Sequence, residues 1–195
     1  MTTVEINFLI SLLGAISILL IGFYVLLKDY RSELNKVFFL FTFSGFLWGI
    51  GSGLWNLFGI STFHSWFYYY RLYWIGVSFL GPTFLHTCIL IYKKKRNVSL
   101  FLLYLPAFVT IAFVYSPLFF YQSPYPSITP FIPHPLFKKG FIFCFLLYLF
   151  LGEVLVFKKY IALKSKEEKE KIKYYIVGSL LPIIGAGMQK SGTKE

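Results

Sequence analysis

Six long apolar stretches alternate with short polar segments along this chain, and the basic residues are distributed unevenly among those segments. Lys and Arg concentrate in every second segment, at 28–36, 93–96 and 158–173. These three segments hold 14 of the 19 basic residues, and the alternate segments hold the other five. Because cytoplasmic loops of membrane proteins carry an excess of Lys and Arg, the pattern predicts an all-α, polytopic transmembrane helix bundle with its N-terminus outside the cell membrane.

The lengths of the apolar stretches agree with this interpretation, since about 20 helical residues span the apolar core of a bilayer. We predict six helices within one membrane module, residues 1–189, followed by a tail, residues 190–195. The predicted helices cover residues 6–27, 37–60, 72–92, 98–121, 141–157 and 174–189. The sixth would be only about 24 Å long against a core of about 30 Å. We therefore expect that a seventh helix is missing and that the sequence is a truncated fragment.

Composition excludes several classes of protein. A chain with 57% hydrophobic and 22% aromatic residues has more apolar surface than a soluble domain of this size can bury. The net charge of +11 resembles that of a nucleic-acid-binding protein, but the basic residues flank the apolar segments, where they meet lipid headgroups. We predict that the inner loops bind anionic lipids and that the chain binds no nucleic acid.

The sequence lacks the motifs of the common enzyme classes, including a P-loop, a nicotinamide fingerprint, a hydrolase elbow and paired carboxylates. Cys88 and Cys144 both fall inside apolar segments, and the three His residues lie far apart in sequence. The prediction is therefore a protein with no catalytic residues, no metal site and no cofactor.

An aromatic run, 66–74, leads into the third apolar segment and contains Tyr70, Arg71 and Trp74. One interpretation is a belt of aromatic rings at the headgroup level, with Arg71 reaching lipid phosphates. The other is the wall of an outward-facing pocket. These residues and His86 have spacings that place several of them on one face of a helix, which makes them candidate contacts for a ligand or a partner helix.

Two polar side chains are predicted within the membrane, where such groups are costly and often functional. His86 follows Pro82 by about one helical turn, and it is either a packed, hydrogen-bonded residue or a sensor of ligand or pH. Glu153 lies five residues before Lys158. It is either a structural carboxyl group near the inner surface or a participant in proton or cation movement.

Two further patterns concern contacts between helices. Gly45 and Gly49 form a G-x-x-x-G pair, which allows close approach either of a neighbouring helix in the bundle or of a second copy in a homodimer. The outer segment 122–139 contains five prolines, which predict extended or irregular chain. Because this segment is too short to form a domain, an unknown ligand must be bound by the membrane helices or by a partner.

The last inner segment contains Ser165 followed by Glu168, which is the signature of a capping box at the start of a helix. Two pairs of opposite charge four residues apart, Lys166–Glu170 and Glu167–Lys171, support a helix from Lys166 onward. This helix is predicted to continue from the cytosol into the sixth apolar segment.

These features together resemble those of a known family. They comprise the spaced tryptophans Trp48 and Trp55, Arg71 before 74–76, the segment 82–86, the basic loop after Tyr92, and the segment 172–178 that follows a Lys/Glu-rich loop. The chain resembles the N-terminal seven-helix membrane module of sensor histidine kinases over about residues 4–187. The resemblance implies a sensory input module in the cell membrane, acting in a two-component system.

The sequence departs from that family in having six apolar segments, no nucleotide-binding domain and no phosphoacceptor-like histidine. His64, His86 and His134 are followed by Ser, Thr and Pro, not by an acidic residue. The chain is therefore predicted not to be an enzyme by itself. The alternative function is a small six-helix substrate-binding subunit of a transporter, which would place both termini in the cytosol, opposite to the charge bias.

Overall fold

The structure, a computed structural model, is a bundle of apolar α-helices. It describes residues 3–58, 63–93, 99–116, 120–122, 131–133, 135–170, 172–173 and 175. Within these residues, the main helices are α1 (Thr3–Lys28), α2 (Glu33–Phe58), α3 (Phe63–Lys93), α4 (Leu100–Tyr115) and α5 (Pro135–Ala162). Between α4 and α5, strands β1 (Phe120–Gln122) and β2 (Phe131–Pro133) pair in antiparallel fashion. The predicted all-α bundle is confirmed.

Four of the described helices are long and apolar enough to cross a membrane, and α4 is apolar but shorter. Burial differs sharply among them: 78% of the apolar 18-residue stretch of α3 is buried, against 11% of the corresponding stretches of α1 and α5. Helix α3 contacts α2, α4 and α5, whereas α1 contacts α2. The core of the bundle therefore surrounds α3, and α1 lies at its edge with most of its apolar surface outward.

Glycines set the distance between α2 and its two neighbours. A Cβ atom at Gly49 would lie 2.9 Å from the Cβ atom of Ala15 in α1. On the other side, a Cβ atom at Gly51 would overlap the backbone of Tyr73, and one at Gly76 would overlap the backbone of Trp48. The glycines of α2 thus pack helices of the same chain. Homodimerisation through Gly45 and Gly49 stays a prediction.

The turn between α1 and α2 is closed by side chains. The Asp29 carboxylate accepts hydrogen bonds from the backbone N–H groups of Arg31 and Ser32, at 3.0 and 3.3 Å. The Asn35 amide donates to the carbonyl oxygens of Val25 and Asp29, at 3.0 and 3.1 Å. Since the last carbonyls of a helix have no partner within it, Asn35 of α2 completes the C-terminus of α1.

Contacts along the helices define two ends of the bundle. Helix α3 runs in the same direction as α5, because Trp74 contacts Phe141 and, further along both helices, Gly81 faces Tyr148. Helix α3 is antiparallel to α2 and α4. We call the end with β1 and β2 the hairpin end. The opposite end contains Lys28, Lys93 and the last turn of α5, and we call it the basic end.

Three helix boundaries differ by six residues or more from those predicted. Helix α3 begins at Phe63, so the aromatic run 66–74 is helical and not the end of a loop. Helix α4 ends at Tyr115 and not at residue 121, because Ser116 is extended, with φ −78° and ψ 155°, as expected for a residue that precedes proline. Helix α5 begins at Pro135 and not at 141, since proline is well suited to the first turn of a helix.

The predicted capping box is present in part. The Glu168 N–H donates to the Ser165 hydroxyl at 3.4 Å, and the Lys169 N–H donates to the Ser165 carbonyl. Residues 166–170 are helical, which confirms a helix start near Lys166. Apart from Tyr175, the predicted sixth helix 174–189 lies outside the described residues, as does the tail 190–195.

Candidate functional site

Aromatic side chains from α3, α4 and α5 form a buried cluster near the hairpin end. Tyr70 and Trp74 are only 5% and 6% exposed. The Trp74 ring centroid lies 5.4 Å from that of Phe137 and 5.0 Å from that of Phe141, both in edge-on arrangements. We call this the aromatic cluster; its members are Tyr70, Tyr73, Trp74, Phe113, Val114, Phe137 and Phe141. The Tyr70 and Trp74 rings are packed against other helices of the chain, and the choice between an aromatic belt and a pocket wall for the run 66–74 stays a prediction.

Arg71 lies beside this cluster and is half-buried. Its guanidinium carbon lies 4.8 Å from the centre of the Tyr115 ring, at the last residue of α4. A cation over the face of an aromatic ring is attracted by the ring's quadrupole. The contact joins α3 to α4 at the hairpin end, and a contact of Arg71 with a ligand stays a prediction.

His86 lies deep in the bundle and is only 3% exposed. Its Nδ1 atom is 3.1 Å from the Tyr104 hydroxyl of α4, and the two rings meet nearly edge-on. This geometry matches the interpretation of His86 as a packed, hydrogen-bonded residue. The alternative, a sensor of ligand or pH, stays a prediction.

Glu153 is half-buried on α5, nearer the basic end. It interacts electrostatically with the Cys88 thiol of α3 and with the Tyr175 hydroxyl. Among the described residues, no three His, Cys, Asp or Glu side chains lie close enough together to hold a metal ion.

The five candidate residues do not form one site. The structure brings Tyr70 and Trp74 together, with Arg71 next to them on α3. His86 is 15 positions further along the same helix than Arg71, which corresponds to about 22 Å. Glu153 belongs to α5 and interacts with Cys88, so it lies near the level of His86 and far from Arg71. A single ligand of modest size cannot touch both Arg71 and Glu153.

A cavity of about 220 Å³ lies between α3, α4 and α5, adjacent to the aromatic cluster. Most of its surface is apolar, and none of the described residues that line it is charged. The lining residues with polar side chains are Ser78, Thr110, Cys144 and Tyr148. The remaining lining residues are Gly81, Pro82, Pro106, Ala107, Val109, Phe137, Gly140, Phe141 and Phe145.

Two direct contacts between α4 and α5 bound this cavity. Toward the hairpin end, the rings of Phe113 and Phe137 stack with centroids 4.7 Å apart. Toward the basic end, the Tyr148 hydroxyl donates to the carbonyl oxygen of Leu103 at 2.8 Å. Between these two contacts the helices stay apart, with α3 forming the floor. Pockets between the helices of a bundle are common ligand sites.

Several residues of this region were not among the sequence-derived candidates. Tyr104, Tyr115 and Tyr148 each connect α4 with a neighbouring helix, yet each lies in an apolar segment that contains other aromatic residues. Their partners are 18 to 45 positions away in sequence. No local pattern indicates such pairs.

Comparison with known proteins identifies one family. The family described as the N-terminal 7TM region of histidine kinase matches residues 9–193, and the match includes most of α1, all of α2 to α5 and the cavity. No curated protein and no solved structure is significantly similar to the chain.

Proposed function

Since the chain belongs to the family of N-terminal 7TM regions of histidine kinases, we propose that it detects a signal between its helices and transmits it toward the cytosol. The family establishes a membrane sensory module, which has no catalytic role of its own. The cavity between α3, α4 and α5 is the observation that supports detection within the bundle, because three helices contribute to its wall. A ligand that changes their spacing would change the position of each.

A continuous set of contacts supports transmission along α3. Below the cavity, the Phe84 ring of α3 stacks on the Tyr175 ring, with centroids 6.4 Å apart and 12° between the planes. The Cys88 sulfur lies 3.6 Å from the Tyr175 hydroxyl. Tyr175 follows the helical segment 166–170 in sequence. A shift of α3 would therefore move Tyr175. Through the chain next to Tyr175, it would also move the segment 166–170, which we propose to be cytosolic.

We propose a multi-pass orientation in the cell membrane, with the hairpin end outside and the basic end in the cytosol. The uneven distribution of Lys and Arg supports it. On this orientation the aromatic cluster lies in the outer half of the bundle. Lys28, Arg31 and Lys36 then surround a closed inner turn, where they meet anionic lipid headgroups.

A chimera tests the signalling role. The chain is joined through its segment 166–175 to the cytosolic part of a histidine kinase whose own membrane module has been removed. We expect Trp74→Ala and Tyr175→Ala to change autophosphorylation several-fold, because each loosens contacts of α3 with its neighbours. The lipid-facing variant Leu20→Ala, at a position 63% exposed, serves as the control. If all three variants insert in the membrane and phosphorylate alike, the proposed function is wrong.

A further inference from the structure

From the chemistry of the cavity wall, we infer that the cavity between α3, α4 and α5 binds a small uncharged molecule with an apolar body and one hydrogen-bond donor. This inference rests on the proposed function, since it names the class of ligand for the same site. The occupant would have on the order of ten non-hydrogen atoms, because a cavity of about 150 Å³ holds a benzene ring and this one measures about 220 Å³.

The charge and polarity of the wall restrict the ligand. The described lining residues include no Asp, Glu, Lys or Arg, so a charged ligand would lose its hydration without gaining a partner. Phe141, Phe145 and Pro106 provide flat apolar surfaces. A neutral molecule with a ring or a short branched chain fits both features.

A proline in the wall supports the presence of a hydrogen-bond donor on the ligand. Pro82 has no N–H group, so the carbonyl oxygen of Ser78, four residues earlier, loses its helical donor. The Ser78 hydroxyl does not replace that donor, because it bonds to the carbonyl of Trp74 one turn earlier. Both Ser78 and Pro82 line the cavity. A carbonyl that has lost its helical donor needs another donor in an apolar environment, and a ligand O–H or N–H group can supply it.

The rim of the cavity indicates the route of entry. Val109 of α4 is 59% exposed, and Gly140 of α5 is also exposed. A Cβ atom added at Gly140 would meet nothing within 4 Å. The cavity therefore reaches the outer surface of the bundle between α4 and α5. On the proposed arrangement in the membrane that surface faces lipid, so a molecule that dissolves in the bilayer can enter from the side.

Photolabelling tests this inference on the chain alone. The purified protein in phosphatidylcholine nanodiscs is irradiated with a diazirine derivative of benzyl alcohol, and the modified residues are mapped by mass spectrometry. We expect saturable labelling of lining residues such as Cys144 and Phe145. Labelling that does not saturate, or that is equally strong at the lipid-facing Leu13 and Leu20, would overturn the inference.

Two competitors of equal size test the donor. Benzyl alcohol should displace the probe at a concentration about five- to tenfold lower than ethylbenzene, as expected for one net hydrogen bond. Both concentrations are corrected for partition into the nanodisc lipid. Equal competition would show a purely apolar site that a lipid chain can also fill, and would overturn the assignment of a donor.

Variants that fill the cavity provide a further test, and a glycine variant on α1 is the matched control. Gly140→Leu should reduce labelling of the lining residues at least about fivefold, by occupying volume that the probe needs. Gly14→Leu changes a helical glycine that is equally free of neighbours but lies on α1, and should leave the labelling unchanged. Cys144→Phe provides a second filling variant in case the new leucine turns toward lipid. Unchanged labelling in both filling variants would overturn the inference.

The outcome is separable from that of the chimera experiment. Saturable labelling, together with a chimera whose autophosphorylation is not changed by the variants, would support the binding site and contradict the signalling role. An unlabelled cavity together with a responsive chimera would retain the signalling role and remove this inference.

Discussion

Individual side chains join helices of this bundle by hydrogen bonds that span long distances in sequence. Tyr148 bonds to the backbone of α4, His86 bonds to Tyr104, and Asn35 bonds to the end of α1. Hydrogen bonds between membrane helices contribute about 0.6 kcal/mol on average and up to about 2 kcal/mol. Their value lies as much in orientation as in stability, since each one sets the rotation of one helix against the next.

At this scale, Tyr148→Phe should lower the free energy of unfolding by about 1 kcal/mol, because it removes the bond to the Leu103 carbonyl and keeps the ring. The midpoint of thermal unfolding in detergent micelles measures the effect. Tyr24→Phe is the matched control, because Tyr24 is 69% exposed on α1. Equal midpoints for the two variants would show that the bond to Leu103 contributes no stability.

A double-mutant cycle on His86 and Tyr104 tests whether the two side chains act as a pair. His86→Ala and Tyr104→Phe should each destabilise the bundle. The double variant should lose less than the sum of the two, by about 0.5–1.5 kcal/mol, because the same hydrogen bond is removed in both. The free energies of unfolding of the four proteins provide the coupling. Strictly additive losses of stability would show that the two side chains do not act as a pair, and His86 could then have a role of its own.

Whole helices approach one another where glycine permits it. Helices α2 and α3 meet at Gly51 and Gly76, each of which faces the backbone of the other helix. Small residues at such positions allow the close packing that replaces the hydrophobic effect as a driving force between membrane helices. On the other side of α3, Pro82 and Pro106 accompany the separation of helices that forms the cavity. Helix α3 is thus tightly held on one side and spaced apart on the other.

At the level of the elements, Gly76→Leu should separate α2 from α3 and destabilise the bundle by several kcal/mol, since a side chain there overlaps the Trp48 backbone. Gly14→Leu should be neutral or slightly stabilising, because leucine has the higher helix propensity and nothing lies within 4 Å. Thermal unfolding of both variants in detergent compares them. A Gly76→Leu protein as stable as the parent would mean that α2 and α3 are not closely packed.

The molecule as a whole is built around α3, with α2, α4 and α5 arranged about it and α1 attached through α2. On the proposed function, α3 is the element through which a change at the cavity would reach the rest of the bundle. Helix α1 exposes most of its apolar surface, which suits contact with lipid. On the proposed orientation, the basic residues mark the end of the bundle that faces the cytosol.

At the scale of the whole chain, we expect cysteines placed at Thr2 and Ser127 to react with a charged maleimide added to intact cells. A cysteine placed at Lys95 should react only after the cells are opened. The positive-inside rule is the physical basis of this expectation. Native Cys88 and Cys144 are in apolar helices, so the parent protein provides the background. Reaction of the Lys95 variant in intact cells would reverse the proposed orientation.

The sequence by itself determined that the chain forms apolar helices, since segment length, composition and the capping residues near Ser165 are local properties. The family was likewise recognisable from the spaced tryptophans, Arg71 and the segment 82–86. Helix ends beside proline were less accurate: α4 was predicted too long and α5 too short, because the effect of a proline depends on whether it lies in the first turn of a helix or beyond its last.

Only the tertiary structure decided which helix is central and where the cavity lies. Lipid and protein core are both apolar, so the hydrophobic pattern of a membrane helix does not reveal which face meets which. The pairs His86–Tyr104 and Tyr148–Leu103 join residues that are distant in sequence. These pairs depend on which helices are neighbours in the bundle. That arrangement is decided by the close fit between small and large side chains and not by polarity.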